Sequence, residues 1–85
     1  MDGSQGEPVF VWLRDGRPAR FVWRGRMYTV MLVLAHRVRP GVPEPAAGGD
    51  RDCWRVEATP LHTVPPETYE LCHDRATDKW LLSRI

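Results

Sequence analysis

Eighty-five residues with 42% apolar side chains suffice for one small folded domain and exclude a disordered polar segment. The formal net charge of +1 excludes a polybasic tail, yet residues 8–40 hold seven arginines against Asp15 alone. The longest apolar run, Tyr28–Ala35, falls short of the roughly 20 residues of a membrane-spanning helix, and the polar start Met1–Pro8 has no secretory pattern. A soluble cytoplasmic protein with no membrane partner is expected.

Residues 1–7 read as a disordered lead-in, and residues 8–85 as a single domain. Pro8–Arg14 is a first strand, with Val9, Val11 and Leu13 on one face and Phe10, Trp12 and Arg14 on the other. Both faces are partly apolar, so periodicity leaves open which one is buried. Asp15-Gly16 is a turn pair that tolerates positive φ. Ala19–Arg24 and a strand starting near Met27 form a hairpin through Gly25.

That third strand is long. Tyr28, Val30, Leu32, Leu34 and His36 alternate with Met27, Thr29, Met31, Val33 and Ala35. A helix competes over Met31–Arg37, but Tyr28, Thr29, Val30 and Val33 are β-formers and no capping residue precedes them. Pro40–Arg51, with its prolines and glycines, is a flexible loop. Asp52–Thr59, Thr68–Asp74 and Lys79–Arg84 complete the set, separated by a loop over Pro60–Pro66 and a turn at Arg75–Asp78.

About six short antiparallel strands joined mostly as hairpins make an all-β fold. The architecture expected is a small antiparallel barrel, SH3-like or similar, or a strongly bent sheet. The inward set is Val11, Phe21, Tyr28, Val30, Leu32, Leu34, Trp54, Val56, Tyr69, Leu71, Trp80 and Leu82.

Catalysis finds little support. No phosphate loop, metalloprotease helix or nucleophile elbow is present, so no catalytic residue and no cofactor is assigned. Cys53, His62, Cys72 and His73 make a poor zinc set, because the adjacent Cys72 and His73 point to opposite faces of one strand. The cysteines are expected as two reduced thiols. Glu57, Glu67, Glu70, Asp74 and Asp78 fall at outward positions or in turns, as solvated charges do.

Binding is better motivated. Arg20, Trp23, Arg24, Arg26, Arg37 and Arg39 lie on or beside one hairpin, with Arg14 and Arg17 close in sequence. Small barrels hold single strands with a cationic groove and stacking aromatics, so single-stranded or duplex DNA is one expected partner. The alternative is a protein-interaction module that docks or self-associates through Phe10 and Trp12, as a monomer or weak homodimer. The bland reading of the arginines is a solvated surface paired with neighbouring acids.

The segments GRPARFVWRGRMYTV, CWRVEAT and TYELCHDRATDKWLLSRI resemble the small actinobacterial family DUF6504, whose function is unknown. The motif from Phe21 to Tyr28 and the closing Trp80-Leu81-Leu82-Ser83-Arg84 carry the resemblance. Similar domains end error-prone accessory proteins that resemble inactive lesion-bypass polymerases. The resemblance therefore implies a β-rich domain, a connection to DNA damage tolerance and a repair polymerase as a partner. After Ala35 the family pattern has His-Trp and a Trp-rich stretch, whereas this chain has His36-Arg37-Val38 and the Pro/Gly loop. The family supplies no catalytic residues.

Overall fold

A computed structural model describes residues 6–39, 51–61 and 64–85. They form six strands and no helix: β1 (Glu7–Arg14), β2 (Arg17–Trp23), β3 (Arg26–Arg39), β4 (Arg51–Thr59), β5 (Glu67–Asp74) and β6 (Lys79–Arg84). Each strand pairs antiparallel with the next, and β6 returns to β1 through Glu7↔Leu82, Pro8↔Leu81 and Val9↔Trp80. The result is a closed barrel in simple up-and-down order. Most of the expected lead-in, residues 40–50 of the expected loop, and His62 lie outside the described residues. Glu7 and Arg51, assigned to those two segments, are strand residues.

The turns follow from local chemistry. Asp15 and Gly16 both adopt positive φ, at 54° and 78°, as do Arg24 and Gly25, at 54° and 76°. Two successive left-handed residues give the hairpin turn whose twist matches the flanking strands. Arg24 is the unusual occupant, since a non-glycine residue there is crowded by its own Cβ. It is held by a two-pronged ion pair, Nε to Glu7 Oε1 at 3.0 Å and Nη2 to Glu7 Oε2 at 2.6 Å. Gly6 is required differently: a Cβ there would sit 2.9 Å from the Leu82 carbonyl oxygen, where the chain crosses β6.

The core is Phe21, Trp23, Tyr28, Val56, Ala58, Tyr69, Leu71 and Leu82, ringed by Val9, Val11, Val30, Val33, Trp54 and Trp80. At its centre Phe21 stacks on Tyr28 with ring centroids 5.0 Å apart, and Tyr69 meets Phe21, Trp23 and Tyr28 at steep angles. Large aromatic areas are thus removed from water in a domain too small for an extended aliphatic core.

Two of the expected inward residues are outside. Leu32 and Leu34 are about half exposed, at 52% and 45%. The β3–β4 register shifts between Val30 and Leu32 and again between Val33 and Ala35. Each bulge inserts an unpaired residue, and each inverts the alternation that follows. The inner face of β3 therefore runs Tyr28, Val30, Val33, His36, with Val33 in place of the two leucines.

The cysteines also depart from expectation. Cys53 lies directly opposite Cys72 on β4 and β5, and their sulfurs form a disulfide. The bond lies on the outer face of the barrel wall, and among the described residues no cysteine is free.

Candidate nucleic-acid interface

Strands β1, β2 and β3 present one outer face. Cross-strand pairing aligns Phe10, Val22 and Met27 in one row and Trp12, Arg20 and Thr29 in the next. Phe10 is 74% exposed and Trp12 50% exposed, so both rings are available for contact. Large aromatics on water are costly to leave uncovered, and a stacking partner is what such a face accommodates.

The β2–β3 pairing ends at Arg20↔Thr29, whereas β3 continues along β4 past its two bulges. A wedge opens between the start of β2 and residues Val30–Val33. It forms a groove of about 670 Å³ lined by Arg14, Arg17, Arg20, Met31 and Leu32, with Asp15 its one acid. A second hollow of about 480 Å³ adjoins it over Trp12, Arg14, Arg20 and Met27. The two share Arg14, Ala19 and Arg20 and make one continuous track.

The track differs from the parts of the surface where arginines are neutralised by acids. Arg24 is paired with Glu7, Arg75 with Asp52, and Arg84 with Glu67. Among the described residues Arg14, Arg17 and Arg20 form no ion pair. Three guanidiniums facing one carboxylate leave a surplus of positive charge beside two exposed aromatic rings.

The six residues of the expected nucleic-acid set do not converge. Arg20 sits in the groove. Trp23 does not stack on a ligand: it is 5% exposed and belongs to the core, with Nε1 donating to Glu7 Oε1 at 3.1 Å. Arg24 and Arg26 stand at one mouth of the barrel, Arg24 also bordering a groove beside Phe10, and neither lines the track. Arg37 is exposed farther along β3, opposite Cys53, and Arg39 ends that strand opposite Arg51. The protein-contact pair Phe10 and Trp12 shares the outer face with Arg20, so two sets that looked separate in sequence are neighbours in space. Arg14 and Arg17 are the underweighted pair: the Asp15-Gly16 turn sets them directly opposite each other.

The far end of the barrel carries a separate polar cluster. The His36 ring stacks on Trp54 at 3.7 Å, and its Nε2 lies 3.0 Å from Asp52 Oδ1. His73 stacks on Trp80 at 4.7 Å, with Nε2 2.7 Å from Asp78 Oδ1. Arg75 donates to both Asp52 oxygens at 2.7 and 2.9 Å, and this holds the Asp52 carboxyl down at about 2. Among the described residues no three histidine, cysteine or acidic side chains converge as metal ligands would.

A family model described as a domain of unknown function, DUF6504, matches residues 4–85. The chain belongs to the DUF6504 family. No curated protein and no solved structure matches this DUF6504 domain.

Proposed function

We propose that this DUF6504 domain is a non-enzymatic module that binds single-stranded nucleic acid along the outer face of β1–β3. The observation that carries the reading is the track itself: Arg14, Arg17 and Arg20 without ion-pair partners among the described residues, beside exposed Phe10 and Trp12. Guanidiniums take the phosphates and the rings stack on bases, which needs no sequence readout. From one hairpin turn to the other β2 spans seven residues, roughly 23 Å at strand rise, enough for a few nucleotides. The resemblance to domains ending polymerase-like accessory proteins supports a role in DNA damage tolerance beside a repair polymerase, and the cytoplasm is the compartment this reading adopts. Disulfides are rare in a reducing compartment, so Cys53–Cys72 counts against the cytoplasmic part of this reading.

The test is an amide-shift titration of the labelled protein with single-stranded and duplex DNA at low and then physiological salt. Shifts on residues 10–20 and 27–32 that fade as salt rises support the reading. A spectrum unmoved by both DNAs overturns it.

A second reading has its own observation. Phe10 also borders a groove of about 720 Å³ on the β6 side, lined mainly by Val9, Val11, Leu13, Trp80 and Leu81, with Arg24, His73, Asp78 and Lys79 also in its wall. That groove suits an apolar protein segment, and its occupancy is read by salt-insensitive shifts on Phe10, Trp80 and Leu81.

A further inference from the structure

The mouth of the barrel at the β2–β3 turn is a second cationic site. It is a cup of about 440 Å³ with Arg24, Arg26 and Arg84 among its lining and the aromatic core residues Trp23, Tyr28 and Tyr69 beneath. The three guanidiniums differ in how firmly they are held. Arg24 is committed to Glu7, which also takes the Trp23 indole N–H. Arg84 meets Glu67 at 3.4 Å with both side chains mostly in water, a contact readily exchanged. Arg26 has no ion pair among the described residues. Counting Glu7 and Glu67 against the three arginines leaves one positive charge over, and two guanidiniums are available to an incoming anion.

The cup adjoins the outer track. Met27 lines the track and its neighbour Arg26 lines the cup, so the β2–β3 turn is the lip between them. The floor is closed: Tyr28 and Tyr69 are buried against Phe21, so a strand cannot thread through the barrel at this mouth. Resting on the single-strand reading of the track, we infer that the cup holds the terminal phosphomonoester of a strand lying on β1–β3. A phosphomonoester carries more charge than an internal phosphodiester and offers three oxygens to forked guanidinium donors. Arg26 and Arg84 supply the donors, and the exposed Val64 and Pro65 in the same lining give the terminal sugar an apolar seat.

The experiment compares thymidylate oligomers of about six nucleotides, a length within the range of small barrels, carrying a phosphate at one terminus, at the other, or at neither. Thymidine monophosphate alone is titrated in parallel, and affinities and amide shifts are read together. The expected result is about tenfold tighter binding of one phosphorylated oligomer, the size of a charge-assisted contact, with new shifts at Arg26, Tyr69 and Arg84. The variant R26Q/R84Q should erase that preference, whereas R20Q should weaken all oligomers alike. Equal affinity for phosphorylated and unphosphorylated oligomers overturns the inference and leaves the track reading standing. Thymidine monophosphate shifting the cup while no oligomer binds keeps the phosphomonoester site and removes the track. No binding of any probe overturns both.

Discussion

The Trp23 indole N–H donates to Glu7 Oε1 at 3.1 Å, joining the last residue of β2 to the first residue of β1. The same carboxylate clamps Arg24 in its left-handed turn, so one side chain fixes the barrel seam, a core tryptophan and a hairpin. Hydrogen bonds from Arg24, then from Trp23, hold the Glu7 carboxyl below its ordinary value. A lowered folded value means the stabilisation is complete above the unfolded pKa of 4.5 and is lost as pH falls through the folded one. Glu7→Gln should therefore melt lower than the parent at neutral pH and converge with it in acid. Thermal melts at a series of pH values check this, and Trp23 fluorescence should shift to the red in the variant.

Asp52 gives a second, separately located acid response. Arg75 and then His36 favour its ionised form, and its value falls from 3.8 to about 2. The sign is the same as for Glu7: the contribution is present above pH 3.8 and disappears as pH falls toward about 2. The carboxylate is partly solvated, so Asp52→Asn should cost less than about 1 kcal/mol at neutral pH. The variant should also flatten the acid limb of a urea-midpoint profile.

The bulges of β3 make a prediction opposite to the one strict alternation gives. Val33 packs on the core and Leu32 faces water. Val33→Asp should destabilise by on the order of 3 kcal/mol, since a charge is placed against apolar side chains. Leu32→Asp should stay within about 0.5 kcal/mol. Urea unfolding of the two variants decides which face of β3 is inside.

That contrast shows how much of the molecule is legible in its residues. Alternation and turn chemistry suffice for the strands and their number and leave a barrel or a strongly bent sheet, because Asp15-Gly16 and Gly25 mark hairpins and Val56, Tyr69, Leu71 and Leu82 fall on one face. Leu32 and Leu34 are misplaced because an apolar strand gives no local sign of a bulge, which tertiary pairing with β4 creates. Trp23 and Trp12 are interchangeable by composition, and only the register between β1 and β2 puts one in the core and the other on the surface. The Cys53–Cys72 bond likewise depends on β4–β5 register, which separates an opposed pair from two distant thiols.

The disulfide carries its own test. It closes a loop with a sequence separation of 19, for which loss of chain entropy in the unfolded state corresponds to about 3 kcal/mol. Reduction, or the variant C53A/C72A, should lower the urea midpoint accordingly. The bond lies on β4 and β5, away from the β1–β3 face, so oligonucleotide affinity of the folded reduced protein should be unchanged. Denaturation curves and binding isotherms with and without reductant separate the two effects.

The outer track predicts two different signatures from neighbouring residues. Each phosphate contact releases counterions, so the logarithm of affinity falls with the logarithm of salt at about 0.7 per contact for a single strand. R14Q, R17Q and R20Q should each reduce that slope by about 0.7 and weaken binding most at low salt. Trp12→Ala removes a stacking surface instead, and it should weaken binding by about 1–3 kcal/mol while leaving the slope as it was. Stability should change little in all four variants, because Arg14, Arg17, Arg20 and Trp12 are exposed. Anisotropy titrations of a labelled thymidylate oligomer across a salt series read both quantities at once. A slope that the arginine variants leave unchanged would remove the phosphates from the track and favour the apolar groove beside Phe10.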